Sequence, residues 1–275
     1  DRVMVAVTAL GDAGVYVPVA LAVLAVLLAG RRFSAALHWL AAIAFGFALT
    51  HALKYALHEP RPVALYEGVA AWSFPSGHTT MSVVLYGFLA VLVARELRPE
   101  RRVWAYLAAG MLVLPIAVSR LYLGAHWLSD VAGGTALGLA WVALIGLAYR
   151  RHRSPPVRPR SVAGAAAAVL LAVGPWYAMQ QMEHNLERYA RPFEQTTVST
   201  GQWWRGAWQR VDAWRADLRG DRSHPLNVQW AGRAERIRTL LRRQGWTAPS
   251  AVTATTALQW LNPRAGLAAL PVPPH

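Results

Sequence analysis

Six long apolar stretches, near 14–30, 34–57, 78–95, 103–119, 127–149 and 162–182, alternate with short polar joints along most of this chain. A helix rises about 1.5 Å per residue and the hydrocarbon core of a bilayer is about 30 Å thick, so roughly 20 apolar residues cross it. Six such blocks in succession predict an all-α membrane helical bundle rather than the buried helices of a soluble core. The joints differ in charge. Arg31, Arg32, Arg95, Arg98, Arg101, Arg102, Arg150, Arg151, Arg153, Arg158 and Arg160 all fall in alternate joints, which the positive-inside rule puts on the cytoplasmic side. The remaining joints carry only Lys54, Arg61 and Arg120 as basic residues, and these face the opposite surface. Residues 1–12 read as a short interfacial segment closed by a turn at Gly11-Asp12.

The pattern changes near residue 183. Residues 151–161, rich in arginine and proline, read as a stiff cytoplasmic linker, and 162–183 as an additional spanning helix. From 184 to 275 the chain is polar, basic and rich in tryptophan. Trp203, Trp204, Trp208 and Trp214 among arginines suit an interfacial helix. Leu226 to Trp230 alternates like a strand, Ala234 to Gln244 reads as a helix stopped by Gly245, and Ala251 to Leu261 as another. The expected product is a small α+β domain, cut short at His275. The first residue is Asp1, and an upstream segment is expected.

Composition narrows the function classes. Hydrophobic residues make up 55% and charged residues 15% of the 275 positions, against about a quarter charged in soluble domains. The net charge of +14 comes nearly all from arginine, and much of it lies in short loops between apolar blocks, where it orients a membrane protein; a nucleic-acid partner is not expected. Without cysteine there is no disulfide and no thiolate-ligated metal.

Three short segments at the ends of the apolar stretches carry the chemistry: Lys54 with Arg61-Pro62, Pro75-Ser76-Gly77-His78, and Ser119-Arg120 with His126 and Asp130. The charge asymmetry of the joints puts all three on the outer face. Phosphoryl transfer needs cations around the equatorial oxygens, an in-line nucleophile and a proton for the leaving oxygen. Lys54, Arg61 and Arg120 supply the cations, two of them with forked donors. Ser76 is placed to cap the helix that follows, and Gly77 to let an anion approach its N-terminus. His126 and Asp130, spaced i, i+4, share one face if helical. The carboxylate then holds one ring nitrogen protonated and leaves the other nucleophilic. His78, from a different helix end, stands opposite as the proton donor. His38, His51 and His58 read as polar packing, and Glu59 and Glu67 as loop residues outside the catalytic set.

The pattern K-x6-RP, PSGH and SR-x5-H-x3-D, met without substitution, resembles the signature of the type 2 phosphatidic acid phosphatase superfamily. The resemblance covers residues 1–150. It implies metal- and cofactor-independent dephosphorylation through a phosphohistidine, with His126, His78 and Asp130 catalytic and Lys54, Arg61, Ser76, Gly77 and Arg120 on the phosphate. It also implies a bacterial inner-membrane location, an outward-facing site, and a first family helix upstream of Asp1. The expected partners are the bilayer and a lipid phosphate such as undecaprenyl pyrophosphate, phosphatidylglycerophosphate or phosphatidate. Lipid phosphotransfer and a non-catalytic role in an envelope or export system are the alternatives. In the tail, Pro225-Leu226-Asn227-Val228-Gln229-Trp230-Ala231-Gly232, Gln244-Gly245-Trp246 and Leu270-Pro271-Val272 resemble the LssY C-terminal domain, which would allow a DedA-like domain ahead of the chain.

Overall fold

A computed structural model of the chain describes residues 1–62, 65–152, 154–190, 197–211, 213–216, 222–225, 228, 230, 232–248, 250, 251, 253 and 256. Eight helices occupy the first 190 residues: α1 (Arg2–Ala9), α2 (Ala13–Ala29), α3 (Phe33–Leu57), α4 (Gly77–Arg95), α5 (Pro99–Tyr122), α6 (Leu128–Arg151), α7 (Pro159–Gln180) and α8 (Met182–Tyr189). Six helical stretches are long and apolar enough to cross a membrane: Arg2–Ala29, α3, α4, α5, α6 and α7. This is the all-α membrane bundle anticipated from the hydrophobic pattern.

The helix α4 is the axis of the bundle. Two-thirds of its most apolar window is buried, and it packs on α3, α5, α6 and α7. The surrounding helices turn Leu21, Leu37, Phe45, Trp104, Met111, Leu144 and Leu171 outward, as a lipid-facing belt requires. Indole N–H groups tie the helices together where no water competes. Trp39 Nε1 donates to the Ala20 carbonyl at 3.0 Å, and Trp141 Nε1 to that of Ala42 at 2.9 Å.

The first helix departs from expectation. One face of residues 2–9 is docked: Val5, Thr8 and Ala9 are sealed from solvent while Val3 is exposed, and α1 packs against α5, α7 and α8. The spacing of those three residues puts them on one helical face, which docks on the end of α5. The chain then turns at Leu10–Asp12 into α2.

Close approach of α6 to α4 sets the position of the site. A Cβ on Gly138 would lie 2.8 Å from Val83 Cβ, and one on Gly134 2.7 Å from Thr80 Oγ1 and 3.1 Å from the Ser76 carbonyl. Small residues four apart let two membrane helices touch backbone to backbone.

Beyond residue 197 the described residues include α9 (Thr200–Trp204), β1 (Trp214–Ala216) paired with β2 (Arg222–Pro225), and α10 (Ala234–Arg243). The helix α10 ends ahead of Gly245, which takes a φ of +81°. The strand expected at Leu226–Trp230 falls earlier, at 222–225; Val228 and Trp230 are irregular, and Leu226, Asn227 and Gln229 lie outside the described residues. The helix expected at Ala251–Leu261 lies largely outside them as well.

Gly138→Ala is expected to destabilise the bundle by about 1–3 kcal/mol through overpacking against Val83, read as a lower thermal midpoint in detergent. Gly110→Ala, with no atom within 4 Å of the added methyl, should leave the midpoint unchanged or slightly higher.

Candidate active site

The end of α5 and the start of α6 form the first half of the site. After Tyr122 the chain turns through Gly124, at φ +64°, and the N–H groups of Ala125 and His126 both donate to the Arg120 carbonyl at 3.1 and 3.3 Å. His126 therefore precedes α6 rather than lying on it. The i, i+4 pair expected on one helical face arises instead from a helix cap. Asp130, in the first turn of α6, accepts the Trp127 N–H at 2.8 Å, and the same Oδ2 receives His126 Nδ1 at 3.2 Å and the Ser73 hydroxyl. A cap is a rigid place for a carboxylate.

That contact defines the His126 tautomer. An ionised carboxylate only accepts, so Nδ1 carries the proton and Nε2 keeps its lone pair. Facing Nε2 at 2.9 Å is Nη1 of Arg61.

Three cations surround this imidazole, each held by neutral groups. Lys54 Nζ donates to the carbonyls of Trp72 and Ser73. Arg61 donates to the carbonyls of Ala70 at 2.8 Å and Ala125 at 2.5 Å. Arg120, with no exposed surface, donates from Nη1 to Thr8 Oγ1 at 2.6 Å and the Tyr189 hydroxyl at 2.8 Å, and from Nη2 to the Tyr66 hydroxyl at 3.1 Å. Among the described residues its Nε has no hydrogen-bond partner. Among the described residues no carboxylate lies within ion-pair distance of any of the three. Buried charge is tolerated when it is paired, so three cations whose direct contacts are to neutral oxygens make this end of the bundle suited to an anion.

The titration behaviour outside the spanning helices follows. Burial, then the charges of Arg61, Arg120 and Lys54, hold the His126 imidazole well below its ordinary value of 6.5. Burial lowers Arg61 to about 10, with Arg120 adding to the effect, so it stays cationic at neutral pH.

The second half of the site is the start of α4. Ser76 occupies the N-cap position, but its side chain caps nothing; its hydroxyl accepts from Thr79 Oγ1 at 3.0 Å. The expected side-chain cap is thus absent, and the first-turn N–H groups of α4 stay available to an anion. A Cβ on Gly77 would meet only Thr50 Cγ2, at 3.9 Å, so the space in front of it is open. His78 does not stand free opposite His126: its Nε2 is 2.7 Å from Asp12 Oδ1.

Thr8, Tyr66, Ser73 and Tyr189 carry no functional expectation from the sequence, and Asp12 only that of a turn residue. Asp12 had a signal, as the lone acid inside a 28-residue apolar helical stretch, where ionisable residues are costly and usually functional. The tyrosines and Ser73 had none, because their role exists only once distant segments meet. Among the described residues no cluster of three or more His, Cys, Asp or Glu side chains could hold a metal.

A multi-pass helical bundle with an anion site built from a capped His–Asp pair and three cations defines a class: membrane phosphoryl-transfer proteins. Residues 35–154 match the PAP2 superfamily, and this segment is a PAP2 superfamily domain. The chain is also similar to phosphatidylglycerophosphatase B of Bacillus subtilis (strain 168), at 28% identity over 148 residues, covering 53% of this chain and 73% of the relative. No solved structure gives a significant match. Together these findings support a membrane lipid phosphatase.

Because His126 resists protonation, the acidic limb of kcat/KM, corrected for substrate ionisation, should fall well below pH 6.5. The sign follows from the lowered value: the nucleophilic neutral form persists as pH drops. A limb at or above 6.5 would mean that burial and the three cations do not govern this imidazole.

Proposed function

We propose that the chain hydrolyses phosphate or pyrophosphate esters of membrane lipids through a phosphohistidine on His126, without a metal or cofactor, at the outer face of the bacterial inner membrane. The observation that carries this reading is the state of His126: Nδ1 is fixed by Asp130, and Nε2 looks into a group of cations that lacks an anion.

In the proposed reaction Lys54, Arg61, Arg120 and the uncapped start of α4 at Ser76-Gly77 hold the phosphoryl oxygens. The His126 Nε2 lone pair forms the N–P bond as the P–O bond to the lipid breaks. His78 gives its proton to the departing oxygen. A water then attacks phosphorus and loses its proton to His78, and the N–P bond breaks to release phosphate and restore His126. Asp130 offsets the charge that the imidazole gains.

The outward orientation rests on the arginine asymmetry of the joints. The four-part division at 1–150, 151–161, 162–183 and 184–275, with an LssY-like tail, is the architecture we assign to the chain. Phosphatidylglycerophosphate, the substrate class named by the relative, heads the substrate candidates; undecaprenyl pyrophosphate and phosphatidate follow.

Purified protein in detergent with EDTA should release phosphate from a panel of lipid phosphates, and His126→Ala and His78→Ala should each lower the rate by at least about 10²-fold. Wild-type rates in both variants, or strict dependence on added metal, would sink the mechanism. A periplasm-active reporter fused after Gln181 should be active, and one inserted after Leu97 silent; the opposite pattern inverts the orientation.

A further inference from the structure

The turn between α1 and α2 lies ahead of the PAP2 segment, which begins at residue 35, yet it touches the proton donor of the proposed reaction. Asp12 occupies the N-cap position of α2, where an aspartate ordinarily accepts from the helix's own first-turn N–H groups. Its side chain makes no such bond. Oδ1 instead lies 2.7 Å from His78 Nε2, with both side chains largely removed from solvent, at 27% and 19% exposure. Gly11 makes the approach possible, since a Cβ there would stand 2.8 Å from Ile116 Cγ2 and 3.2 Å from His78 Cδ2.

We propose that Asp12 is a positioning residue for His78. It holds Nε2–H, fixes the ring, and supports the imidazolium whose Nδ1 proton is delivered to the leaving oxygen. The site would then contain two histidine–carboxylate pairs of opposite duty, Asp130 steadying the nucleophile and Asp12 the acid. In the first step the P–O bond breaks and the Nδ1 proton moves to the lipid alkoxide, leaving a neutral imidazole. In the second, that imidazole recovers a proton from the attacking water. This inference rests on the phosphatase reading above.

A proton donor matters in proportion to how poorly the leaving group departs alone. The full chain in detergent is assayed on two substrates: phosphatidate, whose alkoxide needs the proton, and p-nitrophenyl phosphate, whose phenolate does not. Asp12→Asn should lower kcat/KM, which reports formation of the phosphoenzyme, by about 10- to 100-fold on phosphatidate, while kcat/KM on the aryl ester stays within about threefold. Asp12→Ser, which can still cap α2, should show the same selective loss. Equal losses on both substrates, no loss on either, or retention of wild-type selectivity by Asp12→Ser would each overturn the role. A wild-type chain that releases phosphate from neither substrate overturns the phosphatase reading, and this inference with it.

Discussion

Three like charges held around one neutral imidazole, in a place where water is scarce, are the constraint on which the rest of this structure depends. Lys54, Arg61 and Arg120 repel one another, and none has a carboxylate within reach among the described residues. What keeps them together is a frame of neutral oxygen atoms: four carbonyls for Lys54 and Arg61, and three hydroxyls for Arg120. Those oxygens come from the loop after α3, the turn before α6, α1 and α8. The bundle must bring all of them to one end, and the close contact of α6 with α4 through Gly134 and Gly138 is part of how it does so. A preorganised positive site costs stability in the resting protein and returns it when a dianion arrives.

The frame also explains why the site extends beyond the PAP2 segment at 35–154. Thr8 and Tyr189 sit on Arg120 from opposite sides of that segment in sequence, and Asp12 sits on His78. The flanking helices are structural partners of the chemistry and not decoration on it.

Much of this was legible in the chain. The hydrophobic period and the arginine-rich joints defined the bundle, because crossing a bilayer leaves little freedom in length or composition. The cations, histidines and Asp130 were legible because each carries a charge or a ring where apolar residues are the rule. What was not legible depends on contacts across long separations. The i, i+4 spacing of His126 and Asp130 suggested a helical face, but a turn before α6 and a cap inside it satisfy the same spacing. Ser76 looked like a cap by residue type, yet Thr79 takes its hydroxyl. Residues 1–12 read as a short interfacial segment, and the docking of Val5, Thr8 and Ala9 on the bundle has no signal in the sequence.

The 2.9 Å contact between Arg61 Nη1 and His126 Nε2 has a further consequence. The lone pair that would attack phosphorus is shielded by a guanidinium whose natural partner is a phosphoryl oxygen. In the reaction proposed above, a phosphate that drew Arg61 onto its own oxygens would uncover the nitrogen beside it. Recognition and unmasking would then be one movement, and a neutral lipid, having nothing to offer the arginine, would find the nucleophile closed.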